Sequence, residues 1–155
     1  TRTVSALKKS HPFCFSPKHG YQPIMKANII KNKFIIKKNN KELSIKAFDV
    51  IHGMIKATGF AFNKIAYISD CSYISKKELK KLYNLNILII DCLKFKKHAT
   101  HLNFKKSLFY INKIKPKKTI LTNLHSDIDY SNFKKKLKMI SNKIIPAFDG
   151  LKIKI

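Results

Sequence analysis

The chain has little of several features that would place a protein in a familiar class. It contains no tryptophan, four glycines and one arginine in 155 residues. No apolar run approaches the roughly 20 residues that a membrane-spanning helix needs, and no signal-peptide layout opens the sequence. The three cysteines are an odd number without a C-x-x-C spacing. We therefore expect reduced thiols in a cytoplasmic protein that has no membrane partner.

Several catalytic motifs are also missing from the sequence. There is no glycine-rich phosphate loop, no H-E-x-x-H pair and no nucleophile elbow. These absences argue against a P-loop nucleotide-binding protein, a zincin-type protease and an α/β-hydrolase. Any catalytic site must then be built from residues that lie far apart in the chain.

Acidic residues are scarce, and the charge is strongly positive. Eight acidic residues face 33 basic ones, which gives a formal net charge of +25. Such a charge favours a polyanionic partner, but Arg2 is the only arginine, and nucleic-acid readers usually exploit the arginine fork. The lysines are spread along the whole chain, as an A/T-biased coding sequence would produce. Nucleic acid is therefore possible but not favoured, although the charge would speed the approach of a phosphorylated substrate.

The hydrophobic pattern predicts one α/β domain over residues 1–155, with helices on one side of a mixed sheet. The opening, from Thr1 to Pro23, is predicted to be irregular because prolines punctuate it. Strands are predicted at residues 24–30, 34–36, 43–51, 58–62, 65–69, 86–91, 119–122, 144–147 and 151–155. Helices are predicted after the capping-box residue Ser75, at 103–113 and at 131–137.

Polar side chains follow four of the predicted strands. His52, Asp70, His101 and His125 each come shortly after an apolar strand segment. Because α/β proteins gather metal and catalytic residues at strand ends, this pattern predicts a metal site. Two cations in such a site lie roughly 3.5–4 Å apart and commonly share a bridging carboxylate, for which Asp70 is the candidate.

Each of these residues also has a purely structural interpretation. Asp70 suits an Asx-turn or a helix cap, and His52 suits a hydrogen-bonded histidine at a bend. His101 could simply precede a helix, and Asp91 could orient a loop through backbone hydrogen bonds. Spacing alone leaves these alternatives open.

The order of short motifs resembles the C-terminal two-thirds of metallo-β-lactamase-fold hydrolases, in particular the phosphoribosyl 1,2-cyclic phosphate phosphodiesterase branch. The motifs are Gly20-Tyr21-Gln22-Pro23-Ile24, Val50-Ile51-His52-Gly53, Gly59-Phe60, Ala66-Tyr67-Ile68-Ser69-Asp70-Cys71-Ser72-Tyr73-Ile74, Leu88-Ile89-Ile90-Asp91-Cys92-Leu93, His98-Ala99-Thr100-His101-Leu102-Asn103-Phe104, Ile114-Lys115-Pro116-Lys117-Lys118, Leu121–Tyr130 and Ala147-Phe148-Asp149-Gly150-Leu151. Their order and spacing cover most of the chain.

The resemblance implies a role for each candidate residue. His52 corresponds to a ligand of the first metal, and Asp70 corresponds to the carboxylate that bridges two divalent ions, zinc or manganese. His101 corresponds to the histidine that contacts the scissile phosphate and protonates the leaving group. The last histidine ligand aligns with Asn123, and His125 lies two residues further on. We predict His125 as the ligand because imidazole binds zinc better than an amide does.

The resemblance also implies a fold and a function. It implies an αββα sandwich that is incomplete on its N-terminal side, because the family's H-x-H-x-D-H segment is absent and would precede Thr1. The implied activity is hydrolysis of a small cyclic or diester phosphate by a two-metal phosphodiesterase. The alternatives are a nuclease or another phosphoesterase of this fold and, in a different class, a non-catalytic basic module that binds nucleic acid.

Overall fold

A computed structural model describes residues 2–16 and 22–153 of the chain. It divides into two compact units, Thr1–Lys31 and Asn32–Ile155. The first unit contains helix α1 (Arg2–Ser10) and the single-turn helix α2 (Pro12–Phe15). The second unit contains seven strands and three helices, in the following order. They are β1 (Lys33–Lys38), β2 (Lys41–His52), β3 (Ile55–Phe62), β4 (Ile65–Ile68), α3 (Lys76–Leu79), β5 (Ile87–Asp91), α4 (Phe104–Ile114), β6 (Lys118–Thr122), α5 (Tyr130–Ile140) and β7 (Ile144–Pro146).

The seven strands form one sheet in which spatial order equals chain order. Strands β1 to β4 pair antiparallel, and β4 to β7 pair parallel. Tight two-residue turns join the antiparallel strands. Asn39 and Asn40 both have positive φ, as do Asn63 and Lys64, which is the type I′ geometry that matches the strand twist. The turns therefore fix the registers of the β1–β2 and β3–β4 hairpins.

The main hydrophobic core lies between one face of the sheet and helices α4 and α5. Ile68, Leu88 and Leu121 point into it from three parallel strands, and each is fully buried. Both helices begin at capping side chains, because Asn103 accepts a hydrogen bond from the Lys106 amide and Asp129 accepts one from the Asn132 amide. On the other face, the alternate residues Ile65, Ile87 and Ile120 form a smaller cluster, partly covered by residues 147–153. The α/β class is confirmed, with one β-layer among the described residues.

Most of the predicted elements are confirmed, including the β3–β4 hairpin and helices α4 and α5. The predicted strand at 24–30 is wrong: the segment has no ladder partner, and the Met25 amide bonds to the Cys14 carbonyl instead. The irregular opening is also wrong for residues 2–15, which are largely helical. Nothing interrupts α1, and Pro12 lies in the first turn of α2, where proline is tolerated.

Two predictions extend beyond the described residues. Residues 17–21 of the opening and residues 154–155 of the last predicted strand lie outside them, and residues 151–153 are not a strand. Among the described helices, none combines the length and the apolar character needed to cross a membrane.

Candidate metal centre

Three of the four predicted site residues come together at one edge of the sheet. His52 is the last residue of β2, Asp70 follows β4, and His101 lies in the loop between β5 and α4. Each offers one ligand atom, and these atoms lie within 4.8 Å of one another. The His52 and His101 rings meet edge to face, with centroids 4.6 Å apart. Residues separated by up to 49 positions thus share one small region.

A close approach of two backbone segments makes this meeting possible. Gly53 has φ +63, and a Cβ atom placed there would lie 2.6 Å from Cγ2 of Thr100. Gly53 is thus a position that favours glycine, directly after His52 and facing the residue before His101. Its amide also donates to the Ser72 hydroxyl at 3.1 Å. The turn between β2 and β3 therefore holds one histidine against the other.

The three side chains suit a divalent cation. Two imidazoles and a carboxylate are donors that zinc accepts in protein sites. The Nδ1 atom of His52 is buried and has no hydrogen-bond partner among the described residues, an arrangement that a cation could relieve. Asp70 is exposed, and the Ser69 hydroxyl donates to it at 2.8 Å, which orients the carboxylate. The donor chemistry fits one cation, and three donors are too few for two.

A buried carboxylate lies behind His101. Asp91 ends β5, is fully buried, and lies 2.9 Å from the Nδ1 atom of His101. The same carboxylate oxygen accepts hydrogen bonds from the amides of Cys71 at 3.1 Å and Leu102 at 3.2 Å. Burial raises the pKa of Asp91, and the Cys71 amide, the His101 ring and the Leu102 amide partly offset that rise. These hydrogen bonds offset the cost of burying a charged carboxylate, which is high when the group has no partners.

The two remaining candidates, Asn123 and His125, follow β6. His125 is outside the group of three, and its Nδ1 atom accepts a hydrogen bond from the Asp127 amide at 3.2 Å. Asn123 has φ +62 and approaches Asp91 and His101 with its amide nitrogen, at 3.3 Å and 3.1 Å. The assignment of His125 as a metal ligand thus stays a prediction.

Two buried thiols lie near the centre. Burial raises the pKa of both Cys71 and Cys92 to about 12. Both are unpaired, and they stay neutral at physiological pH, whereas a thiol must be deprotonated to bind a metal or act as a nucleophile. Neither thiol belongs to the group of donors that lie within 4.8 Å of one another.

The sequence did not predict that Asp91 belongs to the site. Its expected role, holding a loop through backbone hydrogen bonds, agrees with its contacts to Cys71 and Leu102. Its contact with His101 was not foreseen. The available signal was an acidic residue at the end of an otherwise apolar strand, which is costly unless the carboxylate has partners.

Comparisons with known proteins agree with this architecture. Octanoyltransferase of Porphyromonas gingivalis is 22% identical over 113 residues, which make up 71% of this chain and 22% of that protein. A diphosphatase from the PhnP family superposes with a TM-score of 0.72 at 28% identity, over 81% of this chain and 47% of that one. Human tRNase Z, short form, superposes with a TM-score of 0.58 at 19% identity, over 80% and 47%. The chain thus spans less than half the length of each.

The family itself follows from a match to a family model. A model of the beta-lactamase superfamily domain matches residues 1–123, which contain His52, Asp70, Asp91 and His101. The seven-stranded sheet and its helices agree with the folds of the similar structures. The chain therefore belongs to the beta-lactamase superfamily.

Proposed function

We propose that the chain is the C-terminal portion of a metal-dependent phosphodiesterase that hydrolyses a small cyclic or diester phosphate, in the phosphoribosyl 1,2-cyclic phosphate phosphodiesterase branch. The observation that carries the proposal is the convergence of His52, Asp70 and His101 within 4.8 Å. The similarity to a diphosphatase of the PhnP family, at 28% identity, supports phosphate chemistry. The net charge of +25 suits a phosphorylated substrate.

The proposed roles divide the three residues into ligands and a proton donor. His52 and Asp70 would hold divalent metal, zinc or manganese, with Asp70 placed to bridge two ions. When bound, such cations lower the pKa of a coordinated water to about 7 and neutralise charge on the phosphate. His101, whose side chain is 15% exposed, can reach a substrate and protonate the leaving oxygen. Two ions require ligands beyond these residues, and His125 is the proposed candidate at the end of β6.

The test is hydrolysis of bis(4-nitrophenyl) phosphate, with zinc or manganese, by the full-length protein of which this chain is the proposed C-terminal portion. We expect this chain alone to turn over poorly, because three donors cannot fill the ligand shells of two metals. Asp70→Asn should abolish the metal-dependent rate and weaken metal binding while the circular dichroism spectrum is unchanged. His101→Ala should retain metal and lose about 10²–10⁴-fold in turnover. Asp149→Asn, an exposed substitution of the same type, is the control.

Two results would contradict the proposal. Hydrolysis that a chelator does not affect would remove the metal from the mechanism. Loss of metal from the His101→Ala protein would show that His101 is a ligand and not the proton donor.

The net charge of +25 is also compatible with two alternatives, a nuclease of this fold and a non-catalytic module that binds nucleic acid. Salt dependence separates the possibilities. Binding through the phosphate backbone weakens steeply with salt, in proportion to the number of phosphates neutralised. Hydrolysis of a small diester should depend mainly on metal and chelator.

Unpaired cysteines suit the cytoplasmic location that we propose.

A further inference from the structure

One buried carboxylate connects three strand ends and the loop that carries His101. Oδ2 of Asp91 faces the amides of Cys71 and Leu102 together with the Nδ1 atom of His101. Oδ1 of the same carboxylate faces the side-chain amide of Asn123 at 3.3 Å. Asp91 thus contacts the residue after Asp70, the residue after β6 and the proposed proton donor.

The contacts of Asp91 decide which nitrogen of His101 carries hydrogen. Two backbone N–H groups already point at Oδ2, which suits a carboxylate oxygen and not a hydroxyl. An ionised carboxylate only accepts hydrogen bonds, so the Nδ1 atom at 2.9 Å must be the donor. In the neutral ring, Nε2 then carries the free lone pair. It makes no hydrogen bond within the described part of the chain.

Asn123 completes the arrangement from the other side. Its Nδ2 atom lies 3.3 Å from the Ser69 carbonyl oxygen and 3.3 Å from Oδ1 of Asp91. Both of these oxygens are acceptors, so the two amide hydrogens point to them, and the closer approach of 3.1 Å to Nδ1 of His101, itself a donor here, is a contact without a hydrogen bond. The left-handed backbone at Asn123, with φ +62, brings the side chain to this position. Its amide links the segments that follow β4, β5 and β6.

We propose that Asp91 and Asn123 are positioning residues: Asp91 fixes Nδ1 of His101 as a hydrogen-bond donor, so that Nε2 faces the substrate and is the nitrogen that carries the second proton when His101 protonates the leaving oxygen, and Asn123 fixes the plane of the Asp91 carboxylate. Asn123 occupies the position at which the family resemblance implies a histidine ligand, and in this chain it would serve as a positioning residue instead. The part of the proposal that concerns turnover depends on the proposed phosphodiesterase function. The part that concerns the tautomer of His101 does not.

The tautomer can be measured directly in the metal-free protein. Long-range ¹H–¹⁵N correlation spectra distinguish the two ring nitrogens, and His101→Gln assigns the signals. At a pH where the ring is neutral, we expect Nδ1 to be protonated and Nε2 to be unprotonated. An Nε2-protonated ring in the unmodified protein would overturn the proposal.

Substitutions then test each positioning residue. Asp91→Asn should remove the preference for the Nδ1-protonated ring and reduce kcat by up to about 10⁴-fold. The same substitution has an effect of that size on the aspartate that orients the catalytic histidine of a serine-protease triad. Asn123→Ala should reduce kcat by about 10- to 100-fold, with KM little changed. The exposed substitutions Asp149→Asn and Asn112→Ala are the matched controls.

The two variants keep the test decisive. If Asp91→Asn does not fold, Asn123→Ala still reports on the arrangement, because it removes one partner at an exposed position. A rise in KM with unchanged kcat, or an unchanged tautomer in a folded Asp91→Asn protein, would contradict the positioning role. An Nδ1-protonated ring in a full-length, metal-loaded protein that hydrolyses no phosphodiester would refute the proposed function and leave the tautomer assignment standing.

Discussion

Replacing Gly53 with alanine should disturb the centre through two separate effects. A residue with a side chain costs roughly 1–2 kcal/mol in the left-handed conformation that Gly53 adopts at φ +63. The new Cβ would also lie 2.6 Å from Cγ2 of Thr100, and such overpacking typically costs about 1–3 kcal/mol. Together we expect Gly53→Ala to lower the free energy of unfolding by about 2–5 kcal/mol.

A double-mutant cycle with Thr100→Ser separates the two effects. Serine lacks the Cγ2 methyl group but keeps the hydroxyl that lies 3.3 Å from Nδ1 of His98. In that background Gly53→Ala should cost only the backbone part, about 1–2 kcal/mol. Urea unfolding followed by circular dichroism measures all four proteins, since the chain has no tryptophan. Zinc affinity should fall in Gly53→Ala and recover in the double variant, because the contact holds His52 against His101.

A coupling energy below about 0.5 kcal/mol would refute this reasoning, since residues that do not interact show additivity to that level. It would mean that the β2–β3 turn and the His101 loop do not press on one another. The position of His52 relative to His101 would then need another cause.

Two further predictions concern the core beneath the site. Tyr110→Phe should lower the free energy of unfolding by about 1–3 kcal/mol, because the buried Ile74 amide donates to the Tyr110 hydroxyl at 2.9 Å and would lose its partner. An unchanged urea midpoint would contradict this prediction. Cys71 and Cys92 should react with a thiol reagent only on unfolding, and fast labelling of either thiol in the native protein would contradict this. Burial raises the pKa of both thiols from 9.0 to about 12. The free energy of unfolding should therefore fall between about pH 9 and pH 12, because the unfolded chain loses these protons first.

The sequence predicted the elements that periodicity and turn residues determine. Asn63-Lys64 lies between two apolar runs and forms the predicted β3–β4 hairpin, because both residues adopt the positive φ of a tight turn. Helix α1 was missed because the prolines of the opening favoured an irregular segment, although all of them lie after the helix ends at Ser10. Within α1, Val4 and Leu7 have the spacing of one helix face.

The candidate site could be predicted in part for a similar reason. His52, Asp70 and His101 follow strands, and a sheet brings the ends of neighbouring strands together. After β6, either Asn123 or His125 could turn toward the centre. The choice depends on the left-handed φ of Asn123, and no periodic pattern in the sequence encodes that angle. The hydrogen bond from His101 to Asp91 spans ten residues and depends equally on loop geometry.

The strand order has a consequence for how the chain is made. Within the described residues, every strand from β2 to β7 pairs with the strand that precedes it in the chain, and none inserts between two earlier strands. During synthesis from the N-terminus, each emerging strand therefore finds its partner already present. The sheet can grow on the ribosome one strand at a time, without reopening a pairing already made. His52 and Asp70 precede His101 in the chain, so synthesis delivers both strand ends before the loop that completes the centre.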